Sequence, residues 1–448
     1  MSILTITIVI AFLIGYACIA LESLLHINKA AIALLMCVIC WTLFMMSPSD
    51  YLNIASTEMI ASEVGSVIER HLGATSTTLF FLMGAMTIVE IIDRNGGFNF
   101  VRGALRTTSK SSLLWRIALM SFFLSAVLDN MTTSIVMVMV LRKLIFDKKE
   151  RMIYASLVVI AANSGGAFSP IGDVTTIMLW NANLISASKV ITELILPSLV
   201  SMIVPTLMLQ TTLKGTLIVA DNTATEIQSN DFSNLQRKMI FFLGIGGLLF
   251  VPVFKAVTHL PPFVGILLVL ALLWVTTEVF YAHLSKKTNV DSMKLRVSGI
   301  LSRIDMSTIL FFLGILMAVS CLEEIGVLAM LGQWLDTASG GNHYIVTGAI
   351  GVISSIVDNV PLVAGCMGMY PLETVGDMAT DGIFWQLLAY CAGVGGSLLI
   401  IGSAAGVVVM GLERISFGWY MRKITPVALV GYFAGLVCYW ILRTFIFI

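Results

Sequence analysis

The sequence predicts an all-α membrane protein built as an inverted structural repeat, with about ten transmembrane helices, two re-entrant hairpins and two broken helices. Three observations carry this expectation. First, the 448 residues are 58% hydrophobic and only 12% charged, with a mean hydropathy of +0.96, whereas a soluble domain has about 25% charged residues. Second, Asp129-Asn130 interrupts one long apolar stretch and Asp358-Asn359 interrupts another. Third, the surroundings of the two pairs recur in order. Leu79-Phe80-Phe81-Leu82 and Leu310-Phe311-Phe312-Leu313 precede them; Gly165-Gly166 with Ile171-Gly172, and Gly395-Gly396 with Ile401-Gly402, follow. A carboxylate in hydrocarbon costs about 3 kcal/mol on the mildest scale. A chain that places one twice, in matching positions, is read as using both.

Runs long enough to cross a bilayer fall at 3–21, 30–46, 75–93, 190–213, 238–256, 262–284, 306–330 and 421–447. The first follows Met1-Ser2 with no basic segment ahead of it, so it reads as a transmembrane helix and not a cleaved signal. Residues 56–72 read as a short amphipathic surface helix. Stretches 111–145 and 343–371 each read as two arms joined at the Asp-Asn pair, with second arms too short for a full crossing. Stretches 151–186 and 382–413 are long but interrupted by Gly, Ser and Pro. In the first, helix is expected over 151–163 and again from 171. The chain therefore divides into N-terminal scaffold helices (1–74), a first repeat (75–213), connecting scaffold helices (214–305) and a second repeat (306–448).

Loop charges orient these elements. Arg94, Arg102, Arg106, Lys110 and Arg116 precede the first hairpin, and Arg142, Lys143, Lys148, Lys149 and Arg151 follow it. Both flanks are inside by the positive-inside rule. Asp336, His343, Glu373, Asp377 and Asp381 flank the second hairpin without Lys or Arg, so its flanks are outside. The two halves then face opposite ways and both termini lie outside. The net charge of +0 names no partner beyond the lipid bilayer, and no nucleic-acid partner is expected. All seven cysteines lie in apolar segments without metal spacing and read as small buried hydrophobes. No cofactor is expected. The five histidines, including His71, fall in or near expected loops and read as surface residues. Glu22 and Lys29 are a candidate interface pair, and Glu193, Glu278, Glu323 and Glu324 are expected to be solvated or paired.

Chemistry concentrates at the interruptions. A chain that reverses within the membrane leaves carbonyls and amides without helical partners, tolerated only where they line a cavity or lie against protein. The first tip, Asp129-Asn130-Met131-Thr132-Thr133-Ser134, supplies oxygen ligands suited to a hard cation. Asp129 also suits a helix N-cap. In Asn163-Ser164-Gly165-Gly166-Ala167-Phe168-Ser169-Pro170-Ile171-Gly172-Asp173-Val174-Thr175-Thr176, Asp173 is expected near the N-terminus of the second half-helix. The helix dipole there favours the ionised carboxyl and burial favours the neutral one. Thr175 and Thr176 either support the site or bond to their own helix. In the second half, Pro361 suits the first turn of the arm after Asn359, Ser397 follows the glycine pair, and Ser403-Ala404-Ala405-Gly406 stands where Asp173-Val174-Thr175-Thr176 stands in the first. The halves are thus unequal, and the more polar site is expected in the first.

These motifs resemble the ion transporter superfamily and, within it, the NhaD-type sodium/proton antiporters. The resemblance rests on Gly15-Tyr16, Glu22 and Asn28-Lys29-Ala30-Ala31, and on the runs at 125–137, 163–176 and 357–365. It implies ion-site roles for Asp129, Asn130, Thr133, Asn163, Asp173, Thr175, Thr176, Asp358 and Asn359, to which the residue reading adds Ser164, Ser397 and Ser403. Asp129, Asn130, Asp173, Asp358 and Asn359 are the expected sodium ligands. It also implies an elevator-type motion, a homodimer, and residence in the cytoplasmic membrane of a bacterium. The expected function is exchange of cytoplasmic sodium, or lithium, for external protons at a buried carboxylate, with Asp173 or Asp129 as the exchanging acid. The rivals are a sodium-coupled symporter of citrate or a dicarboxylate and an arsenite exporter. An anionic substrate would want a basic group, and neither tip nor break contains Lys or Arg. An intramembrane aspartyl protease is disfavoured because Leu128 precedes Asp129 and Pro170 stands before Ile171-Gly172-Asp173. No enzymatic activity is expected.

Overall fold

The computed structural model describes all residues except 1, 21–26, 53–59, 97–104, 106, 108, 214, 216–231, 286–296, 303, 357–358 and 447–448. Among the described residues the regular structure is helical, and seven helices are long and apolar enough to cross a membrane. The chain is therefore a multi-pass membrane protein.

Helices α1 (Ile3–Ala20) and α2 (Lys29–Phe44) come first. The Asn28 side chain accepts a hydrogen bond from the Ala30 N–H and caps α2. Lys29 lies over the Phe311 ring, 4.3 Å from its centroid; Glu22, its expected partner, lies outside the described residues. Helix α3 (Ile60–Arg94) has 35 residues, about 52 Å at 1.5 Å per residue. The separate surface helix expected over 56–72 is therefore, over its described part, the start of this span. Its polar pattern has a tertiary cause. Arg70 and His71 both bond Glu324, His71 through Nε2 at 2.7 Å, and the His71 side chain is largely buried. His71 is thus neither in a loop nor on the surface.

The first hairpin is α4 (Lys110–Leu128) and α5 (Asn130–Leu144), joined by the single residue Asp129. By length α4 is among the seven long helices, whereas α5 is shorter. The first broken helix is α6 (Lys148–Ala167) and α7 (Val174–Asn181). The break thus lies at 168–173, later than expected, and Gly165 and Gly166 remain helical. Close approach explains the glycine instead: a Cβ on Gly165 would sit 2.0 Å from the Phe122 carbonyl oxygen of α4.

Helices α8 (Ala187–Gln210), α9 (Asn234–Thr258), α10 (Pro262–Ser285) and the short α11 (Val297–Leu301) lead to α12 (Met306–Glu324). The expected span 306–330 ends early, because Gly326 adopts a left-handed conformation (φ 73°) and α13 (Val327–Ser339) starts anew. The stretch expected as the second hairpin contains α14 (His343–Ile353) and α15 (Asn359–Met369), and the second broken helix is α16 (Ile383–Gly395) and α17 (Ala404–Glu413). The short α18 (Phe417–Lys423) and α19 (Thr425–Phe445) complete the chain.

The contacts of the first half recur in the second. A Cβ on Gly395 would sit 2.1 Å from the Gly351 carbonyl oxygen of α14. Ser125 Oγ donates to the Ala162 carbonyl (2.7 Å), and Ser354 Oγ donates to the Ala392 carbonyl (3.0 Å). The halves also interlock: α5 packs on α17, α15 on α7, and α6 on α16. Outside this centre α8 packs along α19, where buried Glu193 pairs with Arg443 (2.9 Å) and Lys189 (3.5 Å). Cys40, Cys321, Cys366 and Cys391 are buried and the other three half-buried, all as free thiols.

Candidate ion-binding site

Asp173 forms the N-cap of α7 in extended backbone (φ −144°), and its Oδ1 accepts the Thr175 N–H at 3.1 Å. The break frees this residue from the helix, and packing leaves it 1% exposed. Two asparagines reach the same carboxylate. Asn130, first residue of α5, donates to Oδ2 at 2.9 Å. Asn359, first residue of α15, donates to both oxygens at 3.4 Å. The tips of both hairpins thus converge on one carboxylate from the first half. The network continues: Asn130 Nδ2 also donates to Asn163 Oδ1 (3.1 Å), and Asn163 Nδ2 donates to Ser403 Oγ (2.9 Å). Ser403 caps α17 by accepting the Gly406 N–H, as Asp173 caps α7. Asn359, Asp173, Asn130, Asn163 and Ser403 therefore form one buried chain of amides, a carboxylate and a hydroxyl.

The remaining candidates divide. The hydroxyls of Thr133 and Thr175 are buried and have no hydrogen-bond partner among the described residues. That of Ser134, not singled out from the sequence, is in the same condition; its only signal was its place in the Thr132-Thr133-Ser134 run. Thr176 Oγ1 donates to the Asp173 carbonyl at 2.9 Å, which bonds it to its own turn. The Ser164 hydroxyl accepts from Ser201 (2.9 Å) and the Ser397 hydroxyl donates to the Val394 carbonyl (2.7 Å), so both are engaged elsewhere. Asp358 lies outside the described residues.

Asp129 has a different setting from Asp173. Its carboxylate accepts the Thr132 N–H at 2.7 Å and the Thr132 hydroxyl at 2.9 Å, capping α5. Its backbone is strained, with φ 93° and ψ 161°, a region that non-glycine residues occupy at a cost of about 1–3 kcal/mol. The cap and the strained joint together orient Asn130, the next residue. Chemically, the site offers a carboxylate oxygen pair and amides that present oxygen or N–H according to orientation, with the unpaired hydroxyls of Thr133, Ser134 and Thr175 on the adjoining first turns of α5 and α7. These are ligands for a hard monovalent cation and an acceptor for a proton.

Comparison with known proteins places the chain in a family. The citrate transporter family (CitMHS) matches residues 16–390. The chain is 44% identical to sodium/proton antiporter 1 of Arabidopsis thaliana over 96% of its own length and 71% of that protein. It is 42% identical to sodium/proton antiporter 2 of the same plant, over 97% and 99%. It is 31% identical to the Na(+)/H(+) antiporter NhaD of Vibrio cholerae, over 96% and 90%. Its fold is similar to that of the Alcanivorax borkumensis YdaH transporter, with a TM-score of 0.59 at 12% identity over 94% of this chain and 99% of that one. The chain is thus a membrane transporter and not an enzyme, and it belongs to the family of NhaD-type sodium/proton antiporters.

Proposed function

We propose that this protein exchanges cytoplasmic sodium for external protons, with Asp173 as the acid at which the two compete. The observation that carries the reading is the buried Asp173 carboxylate, met by Asn130 and Asn359 and accompanied by the unpaired hydroxyls of Thr133 and Thr175. A buried polar atom without a partner costs about 1–3 kcal/mol. A bound cation is a partner that hydroxyl oxygens can serve. With Asp173 ionised, sodium draws in its oxygens, the Thr133 and Thr175 hydroxyls and the Asn130 and Asn359 side chains turned to present Oδ1. With Asp173 protonated the cation loses its counter-charge and leaves; the N–H groups of Asn130, Asn359 and Thr175, which donate to both carboxylate oxygens, hold the ionised carboxyl while no cation is present. Sodium and a proton exclude each other, so a carrier that moves only when loaded by one or the other is an exchanger.

The wider reading follows the same lines. Asp129 orients the first tip as the cap of α5, and Asp358 is the corresponding acid in the sequence of the second half. Asn163, backed by Ser403, holds the Asn130 amide; Thr176 and Ser397 bond backbone carbonyls beside the breaks, and Ser164 ties α6 to Ser201 of α8. Lithium is a second cargo of the same chemistry. The halves are an inverted repeat whose hairpins re-enter the membrane and move with the broken helices in an elevator-type cycle, in a homodimer. The loop charges support both termini outside. Residence in a bacterial cytoplasmic membrane rests on the likeness to NhaD proteins alone, and relatives from a plant are similar as well. The citrate or dicarboxylate symporter and the arsenite exporter would want a basic side chain for an anionic substrate, and neither tip nor break motif contains Lys or Arg.

Proteoliposomes with an imposed pH gradient test this. Sodium and lithium are expected to dissipate the gradient, and citrate and arsenite are not. Less sodium is needed as pH rises, since fewer protons compete. Asp173→Asn is expected to abolish the exchange; a folded Asp173→Asn protein with full activity removes Asp173 from this role.

A further inference from the structure

Glu413 ends α17 with a fully buried side chain, and two arginines hold it. Arg142, near the end of α5, donates from Nε to Glu413 Oε1 at 2.7 Å and from its terminal nitrogen to the Leu412 carbonyl. Arg151, in the first turn of α6, donates from Nε to Glu413 Oε2 at 2.7 Å and from a terminal nitrogen to the Ile145 carbonyl at 2.9 Å. The sequence reading used both arginines only as markers of the inside face and gave Glu413 no role.

The three helices joined here are the three that carry the Asn130–Asn163–Ser403 part of the ion site. Asn130 opens α5 and Arg142 lies near its other end; Arg151 opens α6 and Asn163 lies near its other end; Ser403 caps the start of α17 and Glu413 ends it. All three helices pack on one another. They form a bundle with the site at one end and the Glu413 cluster at the other. Site and cluster are 12, 12 and 10 residues apart along the helices, or about 15–18 Å. Over about 18 Å, a tilt of about 5° at the clamped end moves the site atom by ~1.6 Å, more than oxygen ligation of a small cation tolerates.

We infer that Glu413 is a positioning residue for the ion site, fixing the tilt of α5, α6 and α17 so that Ser403, Asn163 and Asn130 stay linked in the chain that ends at Asp173. This inference rests on the sodium/proton exchange proposed above. The cluster ties the first hairpin to the broken helix of the second half, so it also couples the halves. Hydrogen bonds explain its strength as an anchor: one fully buried carboxylate accepts from two guanidinium groups that reach in from partly exposed positions, and loss of both partners would leave the buried charge uncompensated.

The test uses full-length protein in proteoliposomes, with half-saturating sodium and maximal rate measured separately per folded protein. Glu413→Gln leaves two arginines without a counter-charge, so it is paired with the triple variant Arg142→Gln/Arg151→Gln/Glu413→Gln, which removes the unpaired charge. Both are expected to raise half-saturating sodium about tenfold, within the range by which remote residues shift binding, while the maximal rate changes less than about threefold. Glu413→Asp, whose shorter carboxylate the long arginines can still reach, is expected to stay within about threefold of the parent. Glu193→Gln, in the separate α8–α19 cluster, lowers thermal stability without moving half-saturation. Unchanged half-saturation in a folded triple variant, or an equal shift in Glu193→Gln, overturns the role of Glu413. Absence of sodium-driven exchange in the parent protein would instead overturn the functional reading itself.

Discussion

Position 129 offers a way to separate what the first hairpin tip costs the fold from what it contributes to transport. Asp129 stands at φ 93° and ψ 161° between two helices, with its carboxylate on the Thr132 N–H and hydroxyl. Replacing it by glycine or by alanine removes the same carboxylate and the same cap. The two variants then differ in one respect, since only alanine retains a Cβ in this backbone region. At an ordinary helix position alanine is the more stable by about 1 kcal/mol. Here the order is expected to reverse, with Asp129→Gly more stable than Asp129→Ala by about 1–3 kcal/mol, the strain of a non-glycine residue in this region. Both variants are expected to transport poorly. The charge-assisted cap of about 1.5–3 kcal/mol that orients Asn130 is gone, so half-saturating sodium rises roughly tenfold or more. Apparent thermal midpoints in detergent compare the stabilities, and sodium-driven proton exchange in proteoliposomes gives the transport. An alanine variant as stable as the glycine variant would refute the strain argument. Parental transport by a folded glycine variant would refute the functional use of the tip.

Two further predictions concern the site and the packing around it. Thr175→Val replaces a buried hydroxyl that has no partner, so stability is expected to hold or rise by about 1 kcal/mol while half-saturating sodium increases; unchanged sodium dependence would remove Thr175 from the site. Gly165→Ala and Gly395→Ala drive a methyl to 2.0 Å and 2.1 Å from the Phe122 and Gly351 carbonyl oxygens, and each is expected to destabilise by about 1–3 kcal/mol through overpacking. Gly246→Ala in α9, where a Cβ meets nothing within 4 Å, is the control and is expected to gain about 1 kcal/mol; similar thermal midpoints for all three would contradict the close approach.

Much of this arrangement is legible in the chain because its physics is local. Apolar runs of membrane-spanning length place the long helices, since backbone polar groups in hydrocarbon must be satisfied within a helix. The matching Asp-Asn pairs and glycine pairs mark the hairpins and the breaks in both halves, and Asn130, Asn163, Asp173, Asn359 and Ser403 could all be named from their motifs. The errors have one character. The first glycine pair pointed to a break at 163–171, but Gly165 and Gly395 serve the approach of α6 to α4 and of α16 to α14, and the helix continues through Gly165 and Gly166. The polar face before residue 72 looked like a surface helix, but it carries Arg70 and His71 to Glu324, over 250 residues later in the chain. In each case the motif reported a contact whose partner is distant in sequence.

By itself, then, the sequence determined that this is a helical membrane protein with two similar chemical centres and an extra carboxylate in the first half. Only the tertiary structure decided that both hairpin tips converge on that one carboxylate, that Asp129 is occupied as a cap while Asp173 joins the halves, and that Glu413 gathers Arg142 and Arg151 at the far end of the helices bearing the site. The reason is physical. A helix or a turn is specified by hydrogen bonds a few residues apart, whereas a buried carboxylate takes its partners from whatever elements pack against it, and their choice is made by the interlocking of α5 with α17 and of α15 with α7.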